Sequence, residues 1–339
     1  MPESEESAVS MLDGVVRAFE TRVAELNFRH FSSMNFFHAQ FDKINELLDA
    51  YSRRDIDVES VWMGSRTFFS DVGAGDHVLD LSKERADVVP LKGTTAKGNE
   101  LHTNLNNALN DQLSWILVGL FESHETFLKD LYATIGYLDS GLWPARHLTQ
   151  KRSGKSFFTW QFWLGPRKPG PSEYKYYSQK ARSISSRNCD EILVQLRKAF
   201  PRFAEFENTK WINQESDLAL WRSVVELFRH LIVHQHGEDD EDKFWKSVTK
   251  KTGRAVVGNK ESVARFRAGI GSFLVVDGGR IRIRLVKDKM IGKSKNHTHV
   301  DGPFNKLFEA ILNQSFLAYR EVISHFGSHP YWCRTVSQS

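Results

Sequence analysis

Two cysteines, Cys189 and Cys333, are all that 339 residues contain. So few, and so far apart, they exclude a disulfide-stapled scaffold, form no metal-type pair, and point to a reducing compartment. No stretch approaches the roughly 20 apolar residues that a bilayer-spanning helix needs. The opening Met1-Pro-Glu-Ser-Glu-Glu-Ser7 lacks the basic start and apolar run of a secretory signal, so a cytoplasmic protein without a membrane partner is expected. Charge of one sign is scarce too. Against 42 acidic residues stand 46 basic ones, a net +4 that does not by itself announce a polyanion partner. No internal repeat is visible.

What is present is a globular composition, 40% hydrophobic and 26% charged, long enough for one large or two small domains. With nine Trp and 24 Phe, much of the interior is expected to be aromatic. After an acidic leader at 1–8, expected to be disordered, apolar residues from Val9 to Tyr51 recur every three or four positions and predict two helices or one bent one. Residues 53–97 carry Gly73, Gly75, Pro90 and Gly93 and read as irregular, with a short strand or two. An N-terminal helical region is therefore expected over 9–97, a main domain over 98–326 and a tail over 327–339. Within the main domain, a long helix runs from near Asn104 to Gly136. A basic, aromatic insertion at 141–187 reads as a loop because of its Gly165-Pro-Arg-Lys-Pro-Gly-Pro171 core. Helical spacing returns over Ser185–Phe200, Ser216–His236 and Pro303–Phe326. Ser272–Lys287 alternates as a hairpin turning at Asp277-Gly-Gly279. The fold class is mainly α, a helical bundle with a small basic β-hairpin and an N-terminal helical extension.

Ser216–His236 concentrates the chemistry. At about 100° per residue, Trp221, Val224, Val225, Phe228, Leu231 and Ile232 share one arc that must face the core. Arg229 falls at one edge of the remaining face and His234 at the other, with Glu226 and His230 between. Leu227 and Val233 share that outer side, where uncovered apolar groups call for a second surface, most economically a second copy of the chain.

The run Phe228-Arg-His-Leu-Ile-Val-His234 resembles the signature of HEPN ribonucleases, an Arg followed by a polar residue, three further positions and a His at a helix end. Upstream, Glu125-Thr-Phe-Leu-Lys-Asp-Leu131 resembles the segment of Glu, any residue, aromatic, Leu, any residue, Asp and Leu that many HEPN proteins carry on the preceding long helix. The resemblance implies a HEPN-type bundle, an endoribonuclease making a 2′,3′-cyclic phosphate and a 5′-hydroxyl, and a homodimer with a composite site. It also implies a setting in stress response, a toxin system or phage defence, under a regulatory protein partner. By the same resemblance, Arg229, His234 and His230 are the catalytic candidates, with Glu125 supporting them; Glu226, between them on the helical wheel, is a second supporting candidate.

The residue types suit that chemistry. Metal-free RNA cleavage needs proton transfer at the 2′- and 5′-oxygens and fixed positive charge on the phosphorane-like transition state. Imidazole serves the first need and guanidinium the second. Residues five apart point roughly 140° apart on an ideal helix, so one Arg229 and one His234 do not easily grip the same phosphate, whereas helices paired across a two-fold axis do.

A metal alternative exists, since Glu226, His230 and His234 recur at four-residue steps with His236 close by. Without an HExxH arrangement or a cysteine pair, no metal and no other cofactor is expected.

Two segments are candidates to contact RNA. Residues 141–187 hold ten basic residues, Lys151 and Arg152 among them, against Glu173 alone. Trp160, Trp163, Tyr174, Tyr176 and Tyr177 are interleaved, a composition suited to stacking bases and neutralising phosphates. The strand around Arg280, Arg282 and Arg284 presents three cations on one face about 6.6 Å apart, and Lys287 extends the track. The bland alternative is an edge strand protected by charge. His297-Thr-His299, beside Lys293 and Lys295, reads as a solvated loop or a substrate contact. At the level of function, the alternative is a non-catalytic RNA- or nucleotide-binding HEPN scaffold or antitoxin partner.

Overall fold

The computed structural model describes residues 5–52, 61–63, 66–69, 87–90, 94–96, 98–148, 170, 172–184, 189–208, 218–235, 237–253, 261–286 and 303–327. Most of these are helical. In chain order the elements are α1 (Glu5–Ser52), β1 (Val61–Met63), β2 (Arg66–Phe69), β3 (Asp87–Pro90), β4 (Thr94–Ala96), α2 (Gly98–Leu138), a 3-10 turn (Ser140–Leu142), α3 (Ala145–Leu148), α4 (Tyr174–Ile184), α5 (Asp190–Ala199) and α6 (Pro201–Asn208). They continue as α7 (Leu218–Gln235), β5 (Glu238–Asp240), α8 (Glu241–Thr252), α9 (Glu261–Gly271), β6 (Leu274–Asp277), β7 (Arg280–Ile283) and α10 (Pro303–Phe326). No described helix is long and apolar enough to cross a membrane.

Contacts divide the chain into two units. The smaller comprises 32–111 and 288–297. Its strands form two antiparallel pairs, β1 with β4 and β2 with β3, where the composition had suggested a strand or two. Met34, Phe41 and Leu109 are buried in this unit.

The larger unit comprises 1–31, 112–287 and 298–339 and carries every described candidate residue. The division expected at residue 97 does not separate its core. Leu12, Val16 and Phe19 of α1 join Leu128, Leu131 and Tyr132 of α2 and Tyr319, Val322 and Ile323 of α10 in one apolar cluster. Within this unit α1 and α2 run antiparallel, since Phe19 meets Phe127 with ring centroids 4.8 Å apart while Leu26 lies against Gly119. The helix begins at Glu5 and Ala8 is buried, so the expected leader overlaps the helix's first turn. α7 packs against α10, α8 and α6.

The stretch read as a loop insertion is partly core. Trp143 stacks on Tyr132 (centroids 4.5 Å, planes 10° apart), donates from Nε1 to the Tyr132 carbonyl (3.0 Å) and meets Tyr177 edge-on. Tyr176 and Tyr177 of α4 are buried, so two tyrosines assigned to base stacking instead fill the interior. Their burial outweighs the polar look of the segment because aromatic rings bring the largest apolar area per residue. Trp160 and Trp163 lie outside the described residues.

The acidic run after α7 also resolves into structure. Glu238–Asp240 forms β5, and the Asp240 carboxylate caps α8 by accepting from the Lys243 amide (2.9 Å). Acids suit that place because the first turn of a helix exposes unpaired N–H groups and the positive end of its dipole. The expected hairpin is present, with Gly278 (φ 55°) and Gly279 (φ 79°) supplying the two left-handed residues of a tight primed turn. β7 is the central strand, paired with β5 on one side and β6 on the other, so the edge-strand explanation of its arginines does not hold.

Gly136 faces this aromatic cluster at very short range. A Cβ there would lie 2.4 Å from Trp143 Cε2 and 2.7 Å from Tyr177 Cδ1. Gly136→Ala is expected to lower unfolding free energy by about 1–3 kcal/mol, the usual range for overpacking, despite alanine's better helix propensity. Urea denaturation compares the two chains, and an unchanged or raised midpoint would refute the packing described here.

Candidate active site at the end of α7

All six residues of α7 expected to face the core are buried: Trp221, Val224, Val225, Phe228, Leu231 and Ile232. Phe228 lies against Phe244 and Phe273, fixing which face of the helix points inward. The helix closes at Gly237, whose φ of 79° lets its amide return to the Leu231 carbonyl (3.0 Å).

A buried charge on this helix was not anticipated. Arg222 is only 3% exposed, donates to Asp190 of α5 (2.7 Å) and lies 3.3 Å from Glu226 one turn along. Lys251 of α8 reaches both carboxylates, at 2.7 Å from Asp190 and 2.8 Å from Glu226. Two cations and two anions thus form a closed ring joining three helices, and the guanidinium also covers the Phe121 ring. Burial alone would raise the Asp190 carboxyl, but Arg222 and Lys251 hold it below its usual range. Sequence spacing placed Glu226 among the outward-facing residues. Its neighbours make it an inward structural anchor instead, occupied by Arg222 and Lys251 and withdrawn from the metal stripe considered above.

Arg229 lies one turn beyond Glu226 and is 30% exposed. Its partner is Glu122 of α2, at 3.4 Å, rather than Glu125. Glu125 sits half-buried close by. Burial raises its pKa, and the nearby cations Lys129, Arg229 and Arg222 only partly offset that shift. α2 therefore does present glutamates to α7, with the ion pair displaced three residues toward its N-terminus, which the spacing on one helix does not reveal. His230 and His234 are exposed with ring centroids 4.8 Å apart. The end of α7 brings guanidinium and two imidazoles to the surface about two to three turns beyond the buried Arg222 and its ion pairs.

Leu227 and Val233, read as calling for a second surface, are half-buried within the chain itself. Among the described residues of the larger unit, the most exposed large apolar side chains are Phe28 (72%), Phe31 (61%) and Trp115 (58%), on α1 and α2.

The basic strand keeps its alternation, with Ile281 and Ile283 buried and Arg280 and Arg282 exposed. Its cations are not free, however. β5 lies alongside, and one oxygen of Glu238, Oε1, accepts from two nitrogens of Arg282, while the carboxylate lies 4.0 Å from Arg280. Arg282 accordingly lowers the Glu238 carboxyl. Arg284 is half-buried, and Lys287, Lys151 and Arg152 lie outside the described residues, as do His236, His297 and His299.

A second unanticipated residue, His124, lies fully buried on α2. Its Nδ1 is 2.7 Å from Ser315 Oγ, and that hydroxyl also lies 2.9 Å from the Ile311 carbonyl. Cys189 is buried as well, and burial pushes its thiol up to about 12, an inert sulfur.

Comparison of the chain with known protein families, curated proteins and solved structures gives no match.

Burial, followed by the Arg222 charge, pushes the His124 pKa well below 6.5, so the fold holds it neutral. An unfolded chain protonates this imidazole below about pH 6.5 and the folded one does not. Stability is therefore lost as pH falls through that value, by up to about 1.4 kcal/mol per pH unit for one proton. His147 and His30 are shifted the same way by burial and add to the slope. His124→Gln should flatten the pH dependence of unfolding free energy between pH 7 and 5.5, whatever its effect at pH 7. A slope identical to that of the parent chain would contradict the assignment.

Proposed function

We propose that the protein is an endoribonuclease of HEPN type, acting without a metal through Arg229 and His234 contributed by two copies of the chain. The observation that carries this reading is the separation on α7 between an inner stripe locked in ion pairs and an outer edge where Arg229, His230 and His234 reach solvent. A helix that needed those three only for stability would be expected to pair them as firmly as Arg222.

In the proposed reaction the 2′-oxygen attacks phosphorus and the bond to the 5′-oxygen breaks. One imidazole takes the 2′-hydroxyl proton and another delivers a proton to the leaving oxygen, the role assigned to His234 of each copy. Arg229 stabilises the charge gathering on the non-bridging oxygens, and His230 orients the phosphate beside it. Glu122 pairs with Arg229 at 3.4 Å without consuming it. Exposed ion pairs contribute only about 0–1 kcal/mol, so a phosphodiester can displace the carboxylate. The resemblance places such an activity in stress response, a toxin system or phage defence, where a regulatory protein would restrain it.

The test is incubation of purified protein with end-labelled RNA in EDTA, beside His234→Ala and Arg229→Ala. We expect 2′,3′-cyclic phosphate ends from the parent chain and about 10²–10⁴-fold slower cleavage by His234→Ala. RNA binding without cleavage under any condition would favour the non-catalytic scaffold or antitoxin partner. Cleavage equal in parent and variants would show that the residues chosen are wrong.

A further inference from the structure

The two imidazoles at the end of α7 have a geometry that acid–base catalysis does not require. His230 and His234 are one turn apart, both exposed, with ring centroids 4.8 Å apart and planes inclined by 52°. A zinc ion bound by two imidazole nitrogens at about 2.0–2.1 Å in tetrahedral geometry sets those centroids about 5 Å apart. The pair is therefore spaced as a chelate within the reach of small side-chain rotations. Position helps as well, since His234 lies in the last helical turn, where the dipole favours positive charge.

From these observations we infer that His230 and His234 form a bidentate site for a borderline transition metal, Zn2+ or Cu2+, and that the bound ion blocks the proposed nuclease instead of assisting it. Imidazole nitrogen selects these ions over Mg2+ and Ca2+, which prefer oxygen donors.

The inhibitory sense follows from two facts. Glu226, the one further donor on the stripe that could complete a catalytic zinc set, is taken by Arg222 and Lys251. Among the described residues, no group of three His, Cys, Asp or Glu side chains is placed to share an ion. Two ligands with water in the remaining positions make a weak, exchangeable site. Coordination would occupy the His234 nitrogen lone pair that must otherwise accept a proton. This last step rests on the nuclease reading, whereas metal binding itself does not.

The experiment titrates the full chain, stripped with EDTA and dialysed, with Zn2+ by calorimetry. It compares the parent with His230→Gln, His234→Gln and the double variant, after circular dichroism has confirmed that each is folded. One ion per chain is expected at this site, with each single variant weakening it by on the order of 10²-fold because the second imidazole binds as an intramolecular partner. Absence of binding in the parent, or equal affinity in all four chains, overturns the proposal. RNA cleavage is read separately across the same Zn2+ range. Loss of cleavage as the site fills, reversed by EDTA, supports the block, and cleavage unchanged with the site full overturns it. A chain that binds Zn2+ through this pair and never cleaves RNA refutes the nuclease reading while upholding the site.

Discussion

The arrangement of α7 depends on the closed ring of Arg222, Asp190, Glu226 and Lys251. A guanidinium only 3% exposed is tolerable because two carboxylates lie against it and an ammonium shares both of them. Removing a carboxylate would leave the Arg222 guanidinium as an uncompensated buried charge, at a cost that solvent reaching the 43% exposed Asp190 keeps below the about 3–5 kcal/mol of a fully buried pair. The ring therefore resists rotation or sliding of α7 against α5 and α8 more sharply than apolar packing would. Hydrophobic side chains accept several registers, whereas an ion network accepts one.

That constraint explains why the helix can offer an exposed polar edge. With Arg222 and Glu226 committed to the interior and Phe228 wedged against Phe244 and Phe273, the residues that follow have their directions decided for them. Arg229 falls beside α2, where Glu122 meets it, while His230 and His234 fall to solvent. The same helix thus carries an immobile polar anchor and, a turn later, side chains free to change partners. The proton-transfer and anion-gripping roles proposed for them need that freedom, and the proposed metal ion would use it too.

Charge elsewhere is arranged with similar restraint. β7 presents Arg280 and Arg282 outward, yet β5 sets Glu238 against both, so the strand carries less free positive charge than its composition suggests. A nucleic acid following this face would have to displace carboxylates as well as counterions, which lowers the salt sensitivity expected of an uncompensated basic track.

What could be read from the residues alone follows from local periodicity. The inward arc of α7, the two glycines of the β6–β7 turn and the span Pro303–Phe326 were all legible, because helical and strand repeats and left-handed glycines are properties of a few neighbouring residues. The edge carrying Arg229, His230 and His234 was legible for the same reason. Tertiary structure alone decided that Glu226 turns inward, that Glu122 rather than Glu125 holds Arg229, that Tyr176 and Tyr177 belong to the core, and that β7 is a central strand facing Glu238. Each of these depends on partners far away in the chain. Whether a charged or aromatic side chain is buried depends on whether a distant element brings its counter-charge or its packing surface, and no local pattern records that.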